Sequence, residues 1–233
     1  MKTEVYDSLE EMCRVAADRF INLVDGTKLS IIVPGGNTPR KFYQHLAQAD
    51  TDWSDICLIL SDERMVPMDH RDSNYGMIKE TLLKKLHSKN KPTIIPEMEK
   101  FEIAYSEKFL DETNLLFEGK LPIEHAFLGI GSDGHTASLF PGNDMGSIND
   151  EPFLYISRQG ESYQRMTLSL NFLQSIPNTT FLVSGKSKRA PLKAIFDVTA
   201  TNSESPAREL IDQSNGYLSI LCDKKAWLGK AYA

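Results

Sequence analysis

Short apolar runs alternate with longer amphipathic stretches along most of the chain. Five runs have the length and composition of buried strands, at residues 29–33, 56–60, 125–130, 180–184 and 217–221. Helices are predicted from apolar spacings of three and four, at residues 7–25, from about 38, and at 73–86, 105–117 and 187–196. Weaker patterns suggest strands at 153–157 and 166–170, and a short helix after residue 221. This alternation predicts an α/β protein with a mostly parallel sheet that is buried on both faces.

Length and composition narrow the class of protein further. The 233 residues contain no linker-like segment or internal repeat, which predicts a single domain over residues 1–233. Apolar residues make up 41% and charged residues 25%, which excludes collagen-like and strongly disordered classes. No apolar run could span a bilayer, and residues 1–7 lack an apolar signal core. Cys13, Cys57 and Cys222 are few and widely spaced, so we expect a reducing, cytoplasmic location.

The net charge of −6 makes a nucleic-acid partner unexpected, because such proteins usually present a basic surface. The same charge sets a condition on any anionic ligand. An acidic chain must gather a few cations and amide donors in one place to bind an anion.

Four polar clusters each follow the carboxyl end of a predicted strand. They occupy residues 35–36, 62–64, 131–135 and 185–188. Ligands of open α/β sheets bind in the crevice outside those strand ends, and so the four clusters are predicted to converge there. We expect Arg64, Arg165, Lys188 and the turn at 35–36 to form a small positive basin. Each cation alone is more typical of a solvated surface charge than of a binding site.

The turn at residues 34–39 suits an anion. Gly35 and Gly36 let the backbone approach a ligand, and a helix start after them supplies free N–H groups. Asn37 and Thr38 add side-chain donors. A tight turn that only caps a helix remains an equally good interpretation of the two glycines.

Asp133, Gly134 and His135 form the most distinctive cluster. A histidine beside a carboxylate is a general-base unit, which removes a proton from water while the carboxylate stabilises the imidazolium. The other histidines have no metal-ligand spacing, so we expect no metal site. The match of residues 129–134 to the dinucleotide fingerprint is discounted, because no second strand follows with an acid about twenty residues on.

Residues 129–142, Gly-Ile-Gly-Ser-Asp-Gly-His-Thr-Ala-Ser-Leu-Phe-Pro-Gly, resemble the signature of the 6-phosphogluconolactonases. The resemblance extends to Asp62-Glu63-Arg64 with residues 66–67 and 72–74, to the Gly-Gly-x-Thr-Pro turn at 35–39, and to residues 165–168, 185–188 and 205–207. It therefore covers nearly the whole chain.

This resemblance implies the Rossmann-like fold of glucosamine-6-phosphate deaminases and ribose-5-phosphate isomerases, with helices on both sheet faces. It also implies hydrolysis of 6-phospho-D-glucono-1,5-lactone to 6-phospho-D-gluconate, in the oxidative pentose phosphate pathway, without a cofactor. The implied base is His135 with Asp133 beside it, and Arg64 is a further candidate catalytic residue. The implied substrate-binding and phosphate-binding residues are Gly35, Gly36, Asn37, Thr38, Asp62, Arg64, Gly134, Arg165 and Lys188.

The sequence departs from the family pattern at the turn. Family members usually carry serine at both positions where this chain has Pro34 and Asn37. Asn37 still offers a donor, whereas Pro34 has neither a hydroxyl nor an N–H, so the phosphate contacts of this turn differ from the usual ones.

Two other functions fit the same fold. A deaminase or isomerase resembling glucosamine-6-phosphate deaminases would need a further carboxylate after the histidine loop, and residues 136–141 contain none. A non-catalytic sugar-phosphate sensor would normally carry a basic DNA-binding module, which this chain lacks. We therefore expect a small sugar-phosphate lactone as the partner, no nucleic acid or membrane, and a monomer or a homodimer.

Overall fold

A computed structural model describes residues 1–86, 91–96, 113, 123–142, 152–158, 160–197 and 205–229. The predicted helix at 105–117 lies, apart from residue 113, outside the described residues. The described helices are α1 Leu9–Val24, α2 Asn37–Leu46, α3 Asn74–Thr81, α4 Leu170–Gln174, α5 Arg189–Phe196 and α6 Pro206–Gln213, with short 3₁₀ turns at Leu83–Lys85 and Lys186–Lys188. The helix predicted over 73–86 thus ends early, at Thr81. A turn follows β10 at residues 224–226, and the end of the short helix predicted for this tail lies outside the described residues, after residue 229.

The strands form two sheets. They are β1 Lys2–Tyr6, β2 Leu29–Val33, β3 Ile56–Leu60, β4 Asp62–Arg64, β5 Thr93–Ile95, β6 Ile123–Gly129, β7 Phe153–Ser157, β8 Gln164–Leu168, β9 Asn178–Val183 and β10 Tyr217–Asp223. Seven of them make a sheet in the order β1-β10-β9-β6-β2-β3-β5, in which every described pairing is parallel. The predicted strand at 153–157 instead joins β4 in a small antiparallel sheet, β4-β8-β7. The strand predicted at 166–170 lies in the same sheet but is shifted to Gln164–Leu168, because Ser169 caps a helix that starts at Leu170.

The parallel sheet is buried on both faces, because alternate residues of its strands point to opposite sides. Ile31 and Val33 of β2 pack with Phe20 of α1 and Phe42 of α2, whereas Ile32 lies in a second core cluster. That second cluster contains residues of the small sheet and of the helices α4–α6. Its buried residues include Phe153, Met166 and Leu168 from the small sheet and Leu192 and Leu210 from the helices. Helices therefore cover both faces, as the apolar runs predict.

Serine caps join two helix starts to the carboxyl edge of the sheet. Ser73 accepts a hydrogen bond from the Gly76 N–H at the start of α3, and its hydroxyl lies 3.2 Å from Oε2 of Glu63. Ser205 caps α6 and donates a 2.9 Å hydrogen bond to the carbonyl of Gly134. The caps thus stabilise their helices and also fix two of the loops that follow the strands.

Candidate active site

A cavity of about 270 Å³ opens at the carboxyl ends of β2, β3, β6 and β9. Its lining residues are Pro34–Pro39, Ser61, Asp62, Arg64, Gly129–Ser132, His135, Ala137, Arg158, Leu182 and Lys188. All four predicted polar clusters contribute, because parallel neighbouring strands end at the same edge of the sheet. Three of the predicted residues, Asp133, Gly134 and Arg165, lie outside this lining.

The turn after β2 leaves helix amides free. Gly36, at φ +96°, is the N-cap of α2, and no side chain caps that end. The first-turn N–H groups of Asn37 and Thr38 therefore lack the usual internal partner, and the helix dipole adds to their attraction for an anion. Pro34 has a structural role here, since its carbonyl accepts a 2.7 Å hydrogen bond from the hydroxyl of Tyr43.

Gly35 is required by packing rather than by its backbone angles. A Cβ at this position would overlap the side-chain amide of Asn74, which donates a 2.8 Å hydrogen bond to the Asp62 carbonyl. The turn after β2 and the strand β4 are thus held together through one buried asparagine, which is 2% exposed.

Asp62 is a buried member of the cavity wall. Its Oδ2 accepts a 2.5 Å hydrogen bond from the hydroxyl of Ser138, and its Oδ1 lies 3.3 Å from the Asn74 amide. Nη1 of Arg165 lies 3.9 Å from Oδ2. Asp62 therefore holds several loops together around the cavity, and it also forms part of the cavity lining.

Arg64 contributes an anchored guanidinium to the cavity wall. Its Nη1 donates a 2.7 Å hydrogen bond to the Asp72 carbonyl, which anchors the side chain. Its Nε is buried without a hydrogen-bond partner and lies 3.8 Å from Oδ2 of Asp62. The side chain therefore lines the cavity in a fixed orientation, and a planar guanidinium suits an anionic or carbonyl oxygen.

Glu63 points away from the cavity, although the sequence groups it with its neighbours. Its carboxyl accepts backbone hydrogen bonds from Arg64, Asn74 and Tyr75 at 2.6, 2.8 and 2.6 Å. Burial raises its pKa to about 7, while these three N–H groups act in the opposite direction. Glu63 therefore anchors the start of α3 rather than lining the site.

The loop after β6 forms the Asp–His pair. The Gly131 N–H donates a 2.7 Å hydrogen bond to the His135 carbonyl and closes the loop. Oδ1 of Asp133 lies 2.5 Å from Nδ1 of His135 and 3.2 Å from its backbone N–H. Gly134 adopts φ +86° and is fixed from outside, since its carbonyl accepts hydrogen bonds from Ser205 and the Ala207 N–H.

The electrostatics of this pair favour a neutral imidazole. Burial lowers the pKa of His135 from its ordinary value, against the opposing charge and hydrogen bond of Asp133. Burial acts to raise the pKa of Asp133, but the charge and hydrogen bonds of His135 outweigh it and leave the pKa below its ordinary value. An ionised Asp133 makes Nδ1 the protonated ring nitrogen and leaves a lone pair on Nε2.

Lys188 lies at the end of β9 on a turn that begins with Gly185. That glycine has φ +94°, its N–H donates a 3.0 Å hydrogen bond to Asp223, and its carbonyl accepts one from the Lys188 N–H. Burial lowers the pKa of Lys188, while the charge of Asp133 acts in the opposite direction. The lysine therefore places a partly desolvated cation in the cavity wall.

Arg165 lies beside the cavity and not in its lining. Its side chain is only 5% exposed and makes two hydrogen bonds to Glu161, at 2.7 and 2.6 Å. A third, of 3.1 Å, reaches the hydroxyl of Ser138. Its guanidinium thus links β8 to the Asp62 network, and its expected contact with substrate stays a prediction.

Arg158 lines the cavity, whereas the sequence predicts this position for Arg165. It directly follows β7, and its guanidinium lies 4.5 Å from the centre of the Phe140 ring. The sequence gives no signal for it, because a single arginine in a polar loop looks like any solvated charge.

A larger depression of about 760 Å³ lies between α3 and the loop that follows Arg64. Its walls include Met65, Val66, Pro67 and Met77, so it is mostly apolar. It contains none of the predicted catalytic or binding residues, and the smaller cavity is therefore the candidate active site.

Among the described residues, no group of three or more His, Cys, Asp or Glu side chains is placed to hold a metal ion. None of the helices in the described ranges is both long and apolar enough to cross a membrane.

The fold and the site define an α/β protein with a crevice, lined by cations and free helix amides, where the strand order of a parallel sheet reverses. The chain belongs to the family of glucosamine-6-phosphate isomerases/6-phosphogluconolactonase, whose family model matches residues 2–219. The expected family membership is thereby confirmed.

Individual relatives agree with this assignment. A 6-phosphogluconolactonase of Synechocystis sp. is 32% identical over 206 residues, which cover 84% of this chain and 82% of that protein. The crystal structure of a 6-phosphogluconolactonase from Shewanella baltica has a TM-score of 0.82 at 23% identity, covering 96% of this chain and 97% of that one. A monomeric glucosamine-6-phosphate deaminase has a TM-score of 0.80 at 18% identity, covering 97% and 98%. These structural similarities confirm the predicted fold class.

Proposed function

We propose that this chain is a hydrolase that opens 6-phospho-D-glucono-1,5-lactone to 6-phospho-D-gluconate in the pentose phosphate pathway. The observation that carries the proposal is the placement of the Asp133–His135 pair at a cavity that also holds a free helix start, Arg64 and Lys188. One wall can therefore bind a phosphate while the other supplies a base. We also retain the cytoplasm as the proposed location, since all three cysteines are free and buried.

His135 activates the attacking water in this mechanism. Asp133 holds the proton on Nδ1, so Nε2 accepts a proton from water as the oxygen attacks the lactone carbonyl. Asp133 then stabilises the imidazolium that forms, and the proton returns to the departing ring oxygen. Atoms balance without any redox step, because the reaction adds one water across the ester bond.

The phosphate anchors the substrate at the other side of the cavity. The free amides of Asn37 and Thr38 at the start of α2 bind its oxygens, and the cation of Lys188 adds attraction. Binding of the phosphate places the lactone ring near His135. The carbonyl and the base are then held in a fixed relative orientation, which lowers the entropic cost of the reaction.

Arg64 is our candidate for the developing oxyanion. Its side chain lines the cavity and its Nη1 is fixed on the Asp72 carbonyl, so the guanidinium is already oriented before substrate binds. A pre-oriented donor stabilises charge that appears only in the transition state.

The experiment is an assay of lactone hydrolysis with the spontaneous reaction subtracted. His135→Ala should lower kcat by about 10²–10⁴-fold, the usual contribution of a general base, while 6-phosphogluconate still binds within a few-fold. His70→Ala, on the loop outside the cavity, is the matched control and should retain activity. Near-normal turnover by His135→Ala would contradict the assignment, and turnover of glucosamine 6-phosphate would point to deaminase chemistry instead.

A further inference from the structure

Arg158 lies near the carboxylate oxygen of Asp133 that does not bond to the histidine. Its Nη2 lies 3.6 Å from Oδ2 of Asp133, whereas Oδ1 of the same carboxylate bonds to Nδ1 of His135. The Asp133 side chain is 38% exposed, so without a second partner its carboxylate could rotate and bond to water.

Two further contacts hold the guanidinium of Arg158 in place. It stacks on Phe140, 4.5 Å from the ring centre, and Nη1 lies 3.5 Å from Oε1 of Glu161. Glu161 is itself fixed by the buried Arg165. An isolated surface ion pair has little effect, but this arginine is held at three points.

Phe140 also packs against the histidine. The ring centres of His135 and Phe140 are 4.8 Å apart, so one buried ring supports both the imidazole and the guanidinium. Phe140 is 5% exposed and lies against Arg165 at 5.3 Å from its ring centre. The imidazole of His135 and the guanidinium of Arg158 therefore share one rigid support.

We propose that Arg158 is a positioning residue, whose guanidinium holds Oδ2 of Asp133 so that Oδ1 keeps the proton of His135 on Nδ1. This inference rests on the proposed function, in which Nε2 of His135 must carry the free lone pair. The reason is chemical: the isolated neutral imidazole prefers its proton on Nε2, and only a well-placed acceptor at Nδ1 reverses that preference.

The test measures the tautomer of His135 directly and needs no substrate. Imidazole ¹⁵N chemical shifts would be recorded at about pH 8, where neutral histidine predominates, and assigned by loss of the signal in His135→Gln. The parent protein should show Nδ1–H. Arg158→Met should show a larger share of Nε2–H, and Arg158→Lys should fall between them, because lysine keeps the charge but loses the planar stacking.

Arg14→Met is the matched control. Arg14 pairs with Asp18 at 3.0 Å on the exposed face of α1, so its loss changes the net charge equally and leaves the site intact. The His135 tautomer should not change in this variant. An unchanged tautomer in Arg158→Met, with its signals still those of a folded protein, would overturn the proposal.

Steady-state kinetics separate positioning from substrate contact. Arg158→Met should lower kcat about tenfold and leave KM within about twofold, as expected when a base is misplaced. A rise in KM for the phosphorylated lactone with kcat unchanged would make Arg158 a phosphate contact and overturn the proposal. If the parent protein shows no lactonase activity, the proposed function fails while the tautomer measurement still decides the role of Arg158.

Discussion

Gly131 and His135 share a space that holds only one side chain. A Cβ built on Gly131 would overlap the imidazole of His135 at Nδ1 and would lie 2.6 Å from Oδ1 of Asp133. The glycine is therefore needed for packing and not for its backbone angles, because φ here is not positive. The Asp–His hydrogen bond exists only because this position lacks a side chain.

Gly131→Ala is accordingly expected to inactivate the enzyme without unfolding it. The methyl group must displace the imidazole, and a displacement of about 1 Å can lower a rate by about 10²-fold. The measurement is kcat for lactone hydrolysis, together with the thermal midpoint. We expect a loss of kcat of about 10²-fold or more and a small decrease in stability.

Gly129→Ala is the control for that substitution. Gly129 lies two residues earlier and also lines the cavity, but a Cβ on it would meet no atom within 4 Å. Its activity should remain within a few-fold of the parent. Equal activity of the two alanine variants would show that the imidazole has room to move without losing function.

The pH dependence of kcat/KM should report His135. Burial lowers the pKa of this base, so it stays unprotonated, and the rate stays on its plateau, to a lower pH than an ordinary histidine would allow. The rate then falls as the pH drops through that pKa. Asp133→Asn removes the negative charge that raises the pKa, so the acid limb should move to still lower pH.

The same Asp133→Asn variant should lose about 10²–10⁴-fold in maximal kcat, because an amide no longer favours the Nδ1–H tautomer. Rates would be measured between about pH 4.5 and 8, after subtraction of spontaneous lactone opening. Movement of the acid limb to higher pH would contradict the assignment of that limb to His135.

Sequence patterns predicted the strands whose stability comes from burial. Residues 29–33 and 56–60 are continuous apolar runs, and both are central strands. Lys2–Tyr6 was missed because it is an edge strand of the described sheet, with charged residues at alternate positions and β10 as its partner there. Asp62–Arg64 is not predicted as a strand of its own, since its extended form depends on pairing with β8.

The candidate active site was also predicted only in part. The convergence of the strand ends follows from a parallel sheet, and so the turn at 35–36, Arg64, His135 and Lys188 could be placed together in advance. The direction of a long side chain could not. Arg165 turns to Glu161 and Ser138 inside the protein, while Arg158, in a polar loop, reaches the cavity.

Arg64 should contribute to binding as well as to catalysis. Arg64→Lys keeps the positive charge but cannot bind the Asp72 carbonyl and a ligand oxygen with one planar group. We expect kcat/KM to fall about 10²-fold, comparable with the loss of an oxyanion donor, and the Kd of 6-phosphogluconate to rise about tenfold. Steady-state kinetics and calorimetry measure the two effects.

Arg71→Lys is the comparison for Arg64→Lys. The Arg71 side chain is 89% exposed and lies on the loop between Arg64 and Asp72, outside the candidate active site. It should leave both constants unchanged. Unaltered product binding in Arg64→Lys would remove Arg64 from the set of anion-binding residues.

Glu63 gives a stability prediction whose sign is fixed by its pKa. The buried carboxyl has a pKa raised to about 7, so its contribution to stability is fully present below about pH 4.5 and is lost as the pH rises through about 7. Glu63→Gln cannot titrate. The free energy of unfolding of the parent, minus that of the variant, should therefore decrease between about pH 4.5 and 7, as measured by urea titration.

Glu161→Gln is a second test, at a carboxyl whose pKa is lowered instead of raised. The hydrogen bonds from Arg165 lower the pKa of Glu161, so its contribution is present above the unfolded pKa and is lost as the pH falls through the lowered value. The parent-minus-variant difference should therefore increase as the pH rises through the acidic range. If the two parent-minus-variant differences in unfolding free energy changed with pH in the same direction, burial would not be the main influence on the pKa of Glu63. The three backbone N–H groups that donate hydrogen bonds to its carboxyl would then have the larger effect.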